Sequence, residues 1–137
     1  MSATRYLVDT NVLLRFLSGE SPAQAAAVKK LFLRAAQGEV VLDVSPVIVA
    51  EAFYTLVSFY GVDRPLASEK LSILLKQHGV RTRDSNQVFA ALDELQNSNI
   101  GFADAFLAAG AKEEGVAVAS FDRDFDKLKV PRYVPVD

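Results

Sequence analysis

Four acids stand in stretches that are otherwise almost free of charge, and acids in that setting can hold a metal ion or move a proton. Asp9 interrupts the apolar run Tyr6-Leu7-Val8-Asp9-Thr10-Asn11-Val12-Leu13-Leu14. Glu51 is the only charged residue between Asp43 and Asp63, and Asp104 is the only one in Ile100-Gly101-Phe102-Ala103-Asp104-Ala105-Phe106-Leu107-Ala108-Ala109. Asp122 opens the alternation Ser120-Phe121-Asp122-Arg123-Asp124-Phe125-Asp126. Each has a plain structural alternative. Asp9 or Asn11 can cap a helix, Glu51 can pair with an arginine or face solvent, and Asp104 gains from the helix dipole in a first turn. One of the last three acids can cap the turn that follows it, with Ser120 as a local backbone acceptor.

A lone carboxylate in an apolar helix is costly unless it is paired, protonated or bound to a cation. Four that share one pocket need protons, or one or two hard divalent cations, to coexist. The chain has no cysteine and one histidine, so a metal must be held mainly by oxygen, which favours Mg²⁺ or Mn²⁺. His78 falls at an expected helix end, where it complements the dipole.

The elements that must position these acids follow from punctuation and periodicity. Tyr6 to Val8 suits a strand buried on both faces, with Asp9 at its end and a helix starting at Asn11. Ser21-Pro22 and Ser45-Pro46 are helix starts, the first helix running to about Gln37 and the second, largely buried, to about Tyr60. Val40 to Val44 lies between them as a β-branched strand. A helix from Pro65 to about Gln77 carries Leu71, Ile73, Leu74 and Leu75 as core candidates. Val80 to Arg83 is a short strand, Asp84-Ser85 caps a helix to about Gln96, and Phe102 to Glu114 is the last long helix. Val116 to Ala119 and Tyr133-Val134 complete the strands.

Strands alternating with helices predict an α/β fold, a three-layer α/β/α sandwich around a mostly parallel, about five-stranded sheet. In doubly wound arrangements the first and fourth strands are neighbours at the switch point, which brings Asp9 and Asp122 to one crevice. The helices bearing Glu51 and Asp104 begin at that same sheet edge, so all four acids are expected to converge there.

With 137 residues, half of them hydrophobic, the chain is sized for one domain, residues 1–137, with its own core. A net charge of −2 is not the footprint of a protein that coats nucleic acid. Four of the fifteen basic residues, Arg123, Lys127, Lys129 and Arg132, nevertheless lie within ten positions, and bound metal would make the local field more positive. No long uncharged run and no leader-like start is seen, which predicts a cytoplasmic protein away from membranes.

Leu7-Val8-Asp9-Thr10-Asn11, Ala50-Glu51, Phe102-Ala103-Asp104-Ala105 and Ser120-Phe121-Asp122-Arg123-Asp124-Phe125 together resemble the motifs of PIN-domain nucleases, especially VapC-type toxins of bacterial toxin-antitoxin pairs. The resemblance runs through essentially the whole chain. It implies a PIN-like sandwich and a Mg²⁺- or Mn²⁺-dependent endoribonuclease, with Asp9, Glu51, Asp104 and Asp122 as the catalytic and metal-holding acids. Asn11, Ser120 and Asp124 are secondary, Ser120 standing where threonine is frequent. The resemblance further implies an RNA substrate, a homodimer and a cognate antitoxin, with Phe53, Tyr54, Phe59 and Tyr60 available as contact surface or as core. Arg15, Arg123, Lys127 and Lys129 are candidates for phosphate contacts or plain solvated surface. The alternatives are a PIN-like module that binds RNA or protein without cutting, and a haloacid-dehalogenase-like phosphohydrolase. The latter expects a second aspartate where this chain has Asn11, and a receiver-like domain expects paired acids at the same place.

Overall fold

Five short strands and seven helices alternate through residues 3–137, which the computed structural model describes. The order is β1 (Thr4–Leu7), α1 (Thr10–Ser18), α2 (Pro22–Ala36), β2 (Val40–Val44), α3 (Pro46–Ser58), α4 (Arg64–Leu75), β3 (Val80–Thr82), α5 (Ser85–Asn97), α6 (Phe102–Glu114), β4 (Val118–Ala119), α7 (Asp124–Lys127) and β5 (Arg132–Tyr133). Local chemistry accounts for several boundaries. Ser45 caps α3 by accepting from the Ile48 amide at 3.4 Å, and Pro46 takes the first helical position, where its missing N–H is not needed. Ser21 and Asp84 hold the other expected cap positions, but with positive φ and no side-chain cap bond.

All strand pairs are parallel, as the βα alternation requires. They form two ladders, β1-β2-β3 and β4-β5, in place of a single five-stranded ladder. The expected neighbours β1 and β4 are not hydrogen-bonded to one another. β4 has only two residues, and its backbone bonds go to the chain around β5: the Val118 amide donates to Pro131 and the Ser120 amide to Tyr133, each at 2.9 Å. The outer edge of β1 therefore stays open. Tyr6 and Leu7, read above as doubly buried, are exposed, Leu7 by 79%.

The core forms where sequence periodicity is clearest. In β2, Val40, Leu42 and Val44 alternate into the interior, and α2, α4 and α5 pack around β2 and β3. Phe53, Leu56, Leu71, Leu74, Leu92, Leu95 and Phe102 are fully or almost fully buried. Ile73 is exposed, because α4 turns it away from the seam of Leu71, Leu74 and Leu75, and α4 ends at Leu75, short of Gln77 and His78. α3 is also less enclosed than its composition predicts. It touches α1, α4 and α6, yet Val47 and Phe59 are each more than 70% exposed and Tyr54 about half exposed.

Gly79 shows how tightly α2 meets β3. Its φ is +85°, and a Cβ there would lie 2.3 Å from the Ala35 carbonyl oxygen. Its own carbonyl accepts from the Leu42 amide at 2.8 Å. Left-handed strain alone costs a side chain about 1 to 2 kcal/mol, and the collision is with backbone, which cannot rotate away. Gly79→Ala is expected to lower unfolding free energy by at least ~2 kcal/mol in urea titrations. Gly38→Ala, at similar φ with nothing within 4 Å, should lose no more than the strain.

Candidate active site

Asp9, Asp104 and Asp122 sit at the element boundaries expected of them. Asp9 follows β1 as the N-cap residue of α1; its backbone carbonyl accepts from the Val12 amide at 3.1 Å, and its side chain makes no cap bond and is exposed. The carboxylate is thus not spent on capping. Next to it, Thr10 is 4% exposed, and its hydroxyl has no hydrogen-bond partner. Such a group costs about 1 to 3 kcal/mol unless something satisfies it, and the sequence had given Thr10 no role.

Asp104 lies in the first turn of α6, half-buried. Burial raises its pKa above the ordinary carboxylate value, and the charges of Asp122 and Asp124 raise it further. These three acids are therefore within electrostatic reach of one another. The loop bearing the latter two is stiffly built. Ser120 Oγ accepts from the Asp122 amide at 2.9 Å, and Asp122 Oδ1 accepts from the Asp124 amide at 2.8 Å, starting α7. This is the capping function foreseen for one acid of the run, and it falls to Asp122.

Glu51 sits in mid-α3 and is exposed, which corrects the expectation of a buried carboxylate. The helix presents Val47, Glu51, Tyr54 and Ser58 outward at helical spacing, so solvent rather than an ion pair accommodates the charge. Asp9 and Glu51 are joined to the other acids through packing: α3 contacts both α1 and α6. Among the described residues, however, no three His, Cys, Asp or Glu side chains are spaced to hold one ion. In kind the donors fit a hard divalent cation, with like-charged carboxylates around Asp104 and an unsatisfied oxygen beside Asp9. In spacing they are more open than a closed ligand shell.

Several basic residues are already engaged. Arg132 donates to both Asp126 oxygens, at 3.1 and 3.3 Å, and to the Ser120 carbonyl at 3.3 Å. That pairing holds the Asp126 carboxyl below its usual range and ties β5 to the acidic loop. Arg15 donates to Gln24 at 2.9 Å and lies 4.0 Å from Glu20, and Lys127 lies 3.5 Å from Asp124. Arg123 and Lys129 are exposed. Asn11 is exposed on a shallow surface concavity with Val12, Arg15 and Gln24.

No curated protein sequence matches the chain. Among solved structures, the VapBC2 complex of Rickettsia felis bound to a promoter DNA fragment aligns over 95% of this chain and 98% of that one, at 16% identity and a TM-score of 0.39. The PIN domain model matches residues 6–131, a span that contains all four acids. The chain belongs to the PIN-domain family.

Proposed function

We propose that the chain is a divalent-metal-dependent endoribonuclease and the toxin of a toxin-antitoxin pair. The observation that carries this reading is that Asp104 lies within electrostatic reach of Asp122 and Asp124, inside the span matched by a family whose members are generally nucleases. Asp9, Glu51, Asp104 and Asp122 are the residues that would hold Mg²⁺ or Mn²⁺, with Asn11, Ser120 and Asp124 in support. When bound, such an ion neutralises charge at a scissile phosphate and makes an attacking water more acidic.

The chain's own residues supply the rest. Without metal, burial and the charges of Asp122 and Asp124 disfavour the ionised form of Asp104, a repulsion that a bound cation would relieve. The Ser120 and Asp124 bonds fix Asp122, so that little ordering remains when substrate arrives. The outward apolar residues of α3, Val47 and Tyr54 with Phe59 beyond, offer surface to an antitoxin or a second copy of the chain. A cytoplasmic location belongs to the same reading; among the described residues no helix is long and apolar enough to cross a membrane.

The test is cleavage of a panel of structured and single-stranded RNAs with Mg²⁺, with Mn²⁺ and with chelator. Metal-restored cleavage that chelator abolishes is the expected result. The open spacing of the acids favours one rival, a module that binds RNA without cutting it. Chelator-insensitive RNA binding with every RNA intact would establish that rival instead.

A further inference from the structure

We propose that Arg64 is a positioning residue that locks the N-terminal turn of α6, and Asp104 with it, onto α3. The inference rests on the nuclease reading above. Arg64 begins α4, remote in sequence from Asp9, Asp104 and Asp122. Its guanidinium donates to the Ile100 carbonyl and, at 3.4 Å, to the Ser98 carbonyl, both in the connection between α5 and α6. The same guanidinium lies over the ring of Phe53, 5.3 Å from its centroid. Phe53 is fully buried in α3, two residues from Glu51.

One planar group thus grips two carbonyls of the segment that launches α6 and rests on the helix that bears Glu51. Both bonds leave from one terminal nitrogen, Nη2, which frees the planar face of the guanidinium to stack on the aromatic ring. The seat is completed from the other side. A Cβ at Gly101, the N-cap of α6, would lie 2.4 Å from the Tyr54 hydroxyl, so the turn rests directly on α3. Asp104 follows three residues later. Its place relative to α3 is therefore fixed by Arg64, Phe53, Tyr54 and Gly101, none of them an acid.

The experiment compares full-length wild type with Arg64→Gln, Arg64→Lys, Gly101→Ala and the double variant Gly101→Ala/Tyr54→Phe. Three quantities are read: amide hydrogen exchange across residues 98–105, Mn²⁺ affinity by calorimetry, and kcat and KM on an RNA that wild type cleaves. Arg64→Gln should speed exchange in 98–105 while leaving β2 protected. It should weaken Mn²⁺ binding or kcat by roughly tenfold, the scale of groups that support metal ligands. Arg64→Lys, which keeps a cationic donor but loses the planar face over Phe53, should fall between. Gly101→Ala presses only on the hydroxyl end of the half-exposed Tyr54, so its defect should be smaller and in the same segment, and adding Tyr54→Phe should relieve it, since the next ring atom is 3.7 Å away.

Wild-type exchange in Arg64→Gln overturns the lock. Faster exchange with unchanged Mn²⁺ affinity and kcat overturns its role in positioning. Should Arg64→Gln lose protection everywhere, the Gly101 pair decides, and failure of Tyr54→Phe to restore Gly101→Ala counts against the proposal. If wild type neither binds Mn²⁺ nor cuts RNA, the nuclease reading fails and positioning fails with it. The exchange data then show separately whether the lock itself exists.

Discussion

Asp104→Asn is expected to abolish cleavage while making the metal-free protein more stable. The carboxylate is half-buried and faces the charges of Asp122 and Asp124, so its ionised form is disfavoured in the folded chain. The sign follows from linkage. A carboxyl whose folded pKa lies above its unfolded value keeps its proton in the folded state after the unfolded chain has lost it. Stability therefore falls as pH rises through the window between the two values, and the full penalty persists at neutral pH. Asparagine keeps the shape and removes the charge. Its melting temperature without metal should exceed that of wild type above the window, and the two should converge below it.

Cleavage should move the other way. On the proposed reading, in which Asp104 helps hold the metal, its replacement is expected to cost more than the ~10 to 100-fold typical of groups that merely support a ligand. A loss beyond about 100-fold in kcat/KM is expected, measured on one RNA under single-turnover conditions. Wild-type Mn²⁺ affinity should climb with pH across the same window, as protons and metal compete for the carboxylate, and in the variant that slope should flatten. A variant that is both more stable and inactive would show that the strain belongs to function. A variant that is less stable and still active would show that Asp104 is an ordinary first-turn acid serving the helix dipole.

What was legible in the sequence was local. A strand ending before Asp9, a serine-proline start before the helix of Glu51, and an apolar turn around Asp104 are written in neighbouring residues, and each acid lies on or beside the predicted element. Sheet adjacency was less legible, because it is decided by backbone pairing between distant segments. β4 spends its bonds around β5, and β1 spends its own on β2. Exposure was hidden for a related reason. The composition of α3 predicts burial, but whether Glu51, Tyr54 and Phe59 are covered depends on what the rest of the chain lays over that face. Arg132, counted with its neighbours as part of a basic cluster, closes on Asp126, which a charge count cannot distinguish. Arg64 carried no signal at all, since its partners are main-chain carbonyls that any residue type presents.

Phe53→Ala is expected to have the largest effect on folding, about 3 to 5 kcal/mol by urea unfolding. Phe53 is fully buried, in the part of α3 that faces the interior, and its ring also meets Tyr54 edge-on with centroids 5.9 Å apart. Truncation leaves a cavity that the surrounding helices can fill only in part. Domains of this size are typically stable by roughly 5 to 15 kcal/mol, so the variant should give up a large share of its stability and melt well below wild type. Phe53→Leu separates two contributions of the ring. It keeps most of the apolar volume, so its stability cost should stay below about 1.5 kcal/mol, while the aromatic face under Arg64 is lost. A leucine variant that folds well yet shows faster exchange across residues 98–105 would assign the ring a second task, holding the guanidinium flat against α3. Wild-type exchange in that segment would mean that the two carbonyl bonds of Arg64 fix the α6 turn unaided, with Phe53 serving only the core.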